Sequence, residues 1–216
     1  MLYWLIGLVM ASPSDDVLRQ VFKHRADVPE EHERKSLSHW DVIHYDINVH
    51  LMPATQTIDG VVTTTARARV ENPRLMRLKS TTPIISTIRV DGVETTWEEI
   101  TPNVLVNIPF DVPESDLVEV SVEYHVPRPE GETFLGVNWG DPIHTFHEPR
   151  GARKWLVLHD DPSDKALLSW AIRVPSDMQV IANGLPTGTR THDDATTTHS
   201  FEFADPIATY LMALHA

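Results

Sequence analysis

From Trp40 onward, apolar side chains recur at every second position, and no stretch beyond residue 35 holds a sustained 3.6-residue period. Ile43, Tyr45, Ile47, Val49 and Leu51 alternate with His44, Asp46, Asn48 and His50, which is the pattern of a strand with one buried face. Val118, Val120, Val122 and Tyr124 repeat the pattern against Glu119, Ser121 and Glu123, and Leu168, Trp170, Ile172 and Val174 repeat it again. Residues 61–70 are rich in Thr and Val, and 104–108 form a further short apolar run. Residues 84–90 lead through Asp91-Gly92 into 93–97, which predicts a hairpin. Another strand is expected to end at Asn183-Gly184, and Phe201 and Phe203 precede a last strand over 207–214. Sixteen prolines and nine glycines punctuate these segments, as a meander of short antiparallel strands requires. The fold class read from this pattern is all-β.

Charge narrows the partners. Acidic residues outnumber basic ones 31 to 18, a formal charge of -13, which argues against nucleic acid as a partner, since its phosphates require a basic face. With no cysteine in its 216 residues it builds neither a disulfide framework nor a thiolate metal site. Residues 2–10 are apolar and run into Ala11-Ser12-Pro13-Ser14, with Val9 and Ala11 as small residues before a cut. This predicts a signal peptide over 1–11 and export to a periplasmic or extracellular location. The apolar run is too short to span a bilayer, so no membrane span is expected. Over 12–39 we expect a short helix at 15–28, with Val17, Leu18, Val21 and Phe22 on one face. Pro29 and the charged residues after it then form a linker, and the β domain occupies 40–216.

The most informative stretch is 144–166, in which Thr145, Glu148, Pro149, Ala152, Arg153, Trp155, Asp160, Pro162, Asp164, Lys165 and Ala166 stand in a distinctive register. It resembles the Thr-Gln-x-Glu-Pro-x-x-Ala-Arg, aromatic, Asp-x-Pro and Asp-Lys-Ala run of zinc aminopeptidases of the aminopeptidase N type (gluzincin aminopeptidases). The resemblance extends through Tyr45-Asp46-Ile47-Asn48-Val49, Ile58-Asp59-Gly60, Val174-Pro175, Ala182-Asn183-Gly184 and Tyr210-Leu211, in the family's order. It implies a twisted antiparallel β saddle or sandwich, the N-terminal β domain of such an enzyme, packed against a thermolysin-like catalytic domain.

Two substrate contacts carry over from the resemblance. In the family, the Gln and Glu of Thr-Gln-x-Glu help to hold the amino end of the substrate. Glu148 matches the Glu, whereas Phe146 replaces the Gln and cannot accept a hydrogen bond, although it can line the first side-chain pocket. A carboxylate suits this task because it pairs with an ammonium group at a desolvated site. The plainer alternative is that Glu148 caps a turn or pairs with Arg150 or Arg153. Thr145 belongs to the motif's structural framework. Arg153 and Asp160 read as a buried ion pair bracing the loop, and Asp160-Asp161-Pro162 as a turn, with Asp164 capping the segment after it. Trp155 and Trp170 read as core residues.

Other chemistries lack their residues. Neither His32-Glu33 nor His147-Glu148 is followed by the second His of His-Glu-x-x-His, and the twelve histidines read as scattered over the surface. No phosphate-cradling glycine loop occurs, and Gly-x-Ser-x-Gly is absent. The leading expectation is therefore a non-catalytic N-terminal domain, as a fragment or truncated form, that walls the active-site cleft of a zinc aminopeptidase. Its partners would be a catalytic metallopeptidase domain, in cis or in trans, and the peptide substrate. It would carry no cofactor, the zinc belonging to the catalytic domain. The alternatives are a free-standing protein-binding scaffold on the same fold and an unrelated β-sandwich ligand binder. The purified chain is accordingly expected neither to retain zinc on dialysis nor to hydrolyse aminoacyl anilides. Stoichiometric zinc with chelator-sensitive activity would contradict this.

Overall fold

The computed structural model describes residues 39–131 and 134–216. The expected signal peptide, helix and linker fall outside the described residues, apart from His39 at the end of the linker. Among the described residues fifteen strands follow one another, beginning with β1 (Trp40–Met52), β2 (Thr57–Ala68), β3 (Leu75–Lys79), β4 (Ile84–Val90), β5 (Val93–Glu94), β6 (Trp97–Ile100), β7 (Asn103–Asn107) and β8 (Leu117–Val126). After these come β9 (Gly136–Asn138), β10 (His144–Phe146), β11 (Ala166–Pro175), β12 (Ile181–Ala182), β13 (Leu185–Thr191), β14 (Thr196–Ile207) and β15 (Leu214–His215). The only helical elements among the described residues are two 3-10 turns, Ala152–Lys154 and Thr209–Leu211. The described residues are all-β, as their alternation requires.

The strands form three sheets. The largest has eight strands in the order β13-β14-β11-β1-β2-β8-β4-β5, a second has the order β12-β15-β10-β9, and a third the order β3-β7-β6. Tyr45, Ile47, Val49 and Leu51 of β1, Val118, Val120, Val122 and Tyr124 of β8, and Leu168, Trp170, Ile172 and Val174 of β11 are all buried. They share one core with Met76 and Leu78 of β3, Val104 and Val106 of β7, and Val137 and Leu214 of the four-stranded sheet. The hydrophobic contribution of such a core scales with its buried apolar area, at about 25 cal/mol per Å².

Three departures from the sequence reading have physical causes. Pairing is not antiparallel throughout: β1 runs parallel to β11 from His44↔Leu167 to His50↔Arg173. Parallel neighbours need a long crossover, and the intervening chain supplies it, since the motif and the four-stranded sheet's β9 and β10 lie between β8 and β11. The hairpin turn at Asp91-Gly92 is present, both residues having positive φ, but the return strand breaks at Thr95 and Thr96. β5 stays in the large sheet while β6 joins β7 in the three-stranded one. The expected strand over 207–214 is instead the end of β14, a 3-10 turn and the two residues of β15.

Gly60 has a steric role. It lies opposite Tyr124 in the β2–β8 register, and a Cβ there would stand within 2.8 Å of three Tyr124 side-chain atoms. The Tyr124 ring thus occupies the space above the glycine. Gly60→Ala should destabilise the domain by about 1–3 kcal/mol in urea unfolding, through overpacking. In a Tyr124→Ala background the same change should cost far less, and equal costs in both backgrounds would contradict the packing argument.

Candidate functional site

The motif is built around β10. Its inward residue Thr145 is buried, and its Oγ1 accepts the Leu214 N–H at 3.0 Å, tying β10 to β15. His147, the next inward position, is only 2% exposed. Trp155 Nε1–H donates to His147 Nε2 at 2.7 Å, and the Trp155 ring stacks on Trp170 with centroids 6.1 Å apart and planes 7° from parallel. Phe146, between these anchors, is half-buried against Phe134, with ring centroids 4.5 Å apart. His144 stacks on His215 of β15, and Glu148 is exposed in the turn after β10. Alternation along five residues thus separates two buried anchors from three side chains with access to solvent.

The turn after Glu148 closes tightly. Gly151 N–H donates to the His147 carbonyl at 2.6 Å, and a Cβ on Gly151 would lie 2.7 Å from His147 Cα and closer still to the Phe146 carbonyl oxygen. Only glycine fits there. The chain then enters the 3-10 turn, which buries Arg153. Arg153 Nε donates to Asp160 Oδ2 at 2.6 Å, while Thr209 Oγ1 donates to the other carboxylate oxygen. Asp160 therefore connects the motif to the second 3-10 turn. Pro162 is exposed in a turn in which Asp161 accepts from the backbone N–H and the hydroxyl of Ser163. Asp164 does not cap the strand after it; it is buried and accepts the Val42 N–H at 3.2 Å, beside the bulge of β1. Tyr45 O–H donates to the His159 carbonyl at 2.8 Å, fastening the same segment to β1.

The reading of the histidines as scattered over the surface fails for His147 and His159, both of which are buried. His159 Nδ1 donates to the Arg77 carbonyl at 3.0 Å, and a lone sequence offers no signal that distinguishes these two from the rest. Among the described residues, no group of three or more His, Asp or Glu side chains is placed to hold a metal ion. A recess of about 390 Å³ does open on the outer face of the large sheet, between His50, Asp59, Glu123, His125 and Arg173. Its charged groups already pair, His125 with Asp59 at 2.7 Å, Glu123 with Arg89 and Arg173 with Asp194.

The family model described as Peptidase M1 N-terminal domain matches residues 42–211. The chain belongs to this family. Its fold is similar to that of an M1 zinc metallopeptidase from Deinococcus radiodurans, with TM-score 0.73 and 25% sequence identity over 82% of this chain and 41% of that one. A mutant of the Deinococcus radiodurans enzyme bound to a Tyr-Ser-Ala substrate matches with the same TM-score and identity, over 82% and 42%. A mutant two-domain M1 zinc metallopeptidase bound to L-tryptophan gives TM-score 0.72 and 26% identity, again over 82% and 42%. The chain thus spans less than half the length of these relatives. Comparison with curated proteins found no match.

Two expectations arise from the way this M1 N-terminal domain is braced. Burial pushes the His147 pKa down to about 4, outweighing the Thr209 and Met212 carbonyls and Asp160, which all favour the proton. The unfolded chain therefore binds a proton at His147 near pH 6.5 and the folded chain does not until about pH 4, so stability is present above that window and is lost as the pH falls through it. Urea unfolding should show a loss of about 2 kcal/mol between pH 7 and pH 5 from this group, reduced in His147→Phe. An unchanged profile in the variant would exclude His147 as the source. Separately, Arg153→Ala leaves Asp160 buried without its cation and should destabilise by about 3–5 kcal/mol; a loss below about 1 kcal/mol would contradict the brace.

Proposed function

We propose that this chain is the non-catalytic N-terminal domain of an exported zinc-dependent aminopeptidase. It walls one side of the substrate cleft and helps to hold the amino terminus of the peptide. Glu148 receives the substrate ammonium group and Phe146, with Phe134 behind it, borders the first side chain. The observation that carries this reading is the presentation of Phe146 at the end of β10 and of Glu148 in the turn after it, with the intervening Thr145 and His147 fastened in the core. A contact that must place a substrate within tenths of an ångström belongs on such a rigid support.

Arg153 donates to Asp160 in the interior, and Glu148 lies at the surface. One relative is bound to a Tyr-Ser-Ala substrate, and a carboxylate at this position would suit a peptide amino terminus. In this reading the zinc is held by the catalytic region that makes up the remainder of such enzymes, in keeping with the zinc metallopeptidases whose fold the chain shares. No step of hydrolysis is assigned to this chain. An interdomain face is supported by Ile181, 71% exposed and opposite His215 on the sheet that contains β10, and by Leu185, 77% exposed. Export rests on the pattern of residues 2–14.

In the full-length peptidase, Glu148→Ala should raise KM and lower kcat/KM by the equivalent of about 1.5–3 kcal/mol, with little change in Tm. Kinetics indistinguishable from wild type on free-amine substrates would remove Glu148 from the substrate site and favour a scaffold role.

A further inference from the structure

His147 is an unusual residue to find closed into a β core, since it must remain neutral and satisfy a directional partner there. It lies between the two positions proposed to meet substrate. Trp155 Nε1–H can only donate, so His147 Nε2 is the acceptor and the neutral ring carries its proton on Nδ1. The backbone carbonyls of Thr209 and Met212 lie near the ring, although its Nδ1 completes no hydrogen bond. The imidazole is thus packed between Trp155, at the end of the first 3-10 turn, and the chain around the second. Its own carbonyl is the acceptor that closes the turn at Gly151. Side chain and main chain of one residue therefore set both the depth of the strand end and the course of the turn after it.

We propose that His147 is a positioning residue, whose hydrogen bond from Trp155 fixes the stretch that presents Phe146 and Glu148. The consequence for catalysis rests on the reading of that stretch as a substrate contact; the anchoring does not. An aromatic hydrocarbon in its place would fill the volume and leave the buried indole N–H without an acceptor. Trp155 would then have reason to shift, carrying the turn with it.

The experiment compares wild type, His147→Phe and His147→Gln by NMR hydrogen exchange at pH 7. The Gln variant supplies a side-chain oxygen that can again accept from Trp155. In His147→Phe, exchange at the Trp155 indole and at the backbone amides of Phe146, position 147, Glu148, Arg150 and Gly151 should accelerate by about tenfold or more, while amides of β2 and β8 stay within about twofold. His147→Gln should recover most of the protection. Unchanged protection in the Phe variant, or a uniform acceleration across β2 and β8, would overturn the anchoring. In the full-length peptidase, His147→Phe should raise KM several-fold with kcat little altered. A loosened turn with normal KM, where Glu148→Ala does raise KM, would overturn the positioning role. Normal KM in both variants would refute the functional reading of Glu148 instead, and the exchange data would still decide the anchor.

Discussion

The arrangement of the candidate site depends on one buried carboxylate. Asp160 takes the Arg153 guanidinium on one oxygen and the Thr209 hydroxyl on the other, and each partner lies in a different 3-10 turn. A buried ion pair contributes little net stability compared with apolar residues of the same volume, because desolvation offsets most of the attraction. Its value lies in direction. Apolar contacts would let the segment after β10 settle in many ways, whereas the paired donors and acceptors around Asp160 admit few. Asp164, four residues on, applies the same logic to β1 through the Val42 N–H, and Tyr45 adds a third tie at the His159 carbonyl.

The result is a division of labour along β10 and the two residues after it. Thr145 and His147 are consumed by the interior, and His144, Phe146 and Glu148 are left at or near the surface. Strand geometry makes this separation automatic once register is fixed, and the Leu214 pairing fixes it. On the proposed reading, a domain of this kind would serve a peptidase by holding the substrate amine in one place, which converts a diffusing reactant into an oriented one.

Much of the fold was legible in the sequence, for a physical reason: a sheet with one wet face writes its period into the chain. β1, β8 and β11 each bury every second residue over most of their length, and each was readable. β13 was not, because all seven of its residues are exposed at the sheet edge and no alternation exists to be read. The split of 93–100 between two sheets depends on tertiary partners and leaves no local trace. At the site, Glu148, Phe146, Arg153 and Asp160 could be named from the motif. The burial of His147 and His159, the reach of Asp164 to Val42 and the part played by Thr209 could not, because each depends on partners that the local pattern does not reveal.

The central claim is that the braced strand end holds a carboxylate against the substrate's amino terminus. A crystal structure of the full-length peptidase with a non-hydrolysed peptide tests it most directly. The account predicts a Glu148 carboxylate oxygen within about 3 Å of the peptide ammonium nitrogen, with the Trp155–His147 and Arg153–Asp160 bonds intact. A peptide whose amino end is held wholly by other residues, with Glu148 facing bulk solvent, would contradict it.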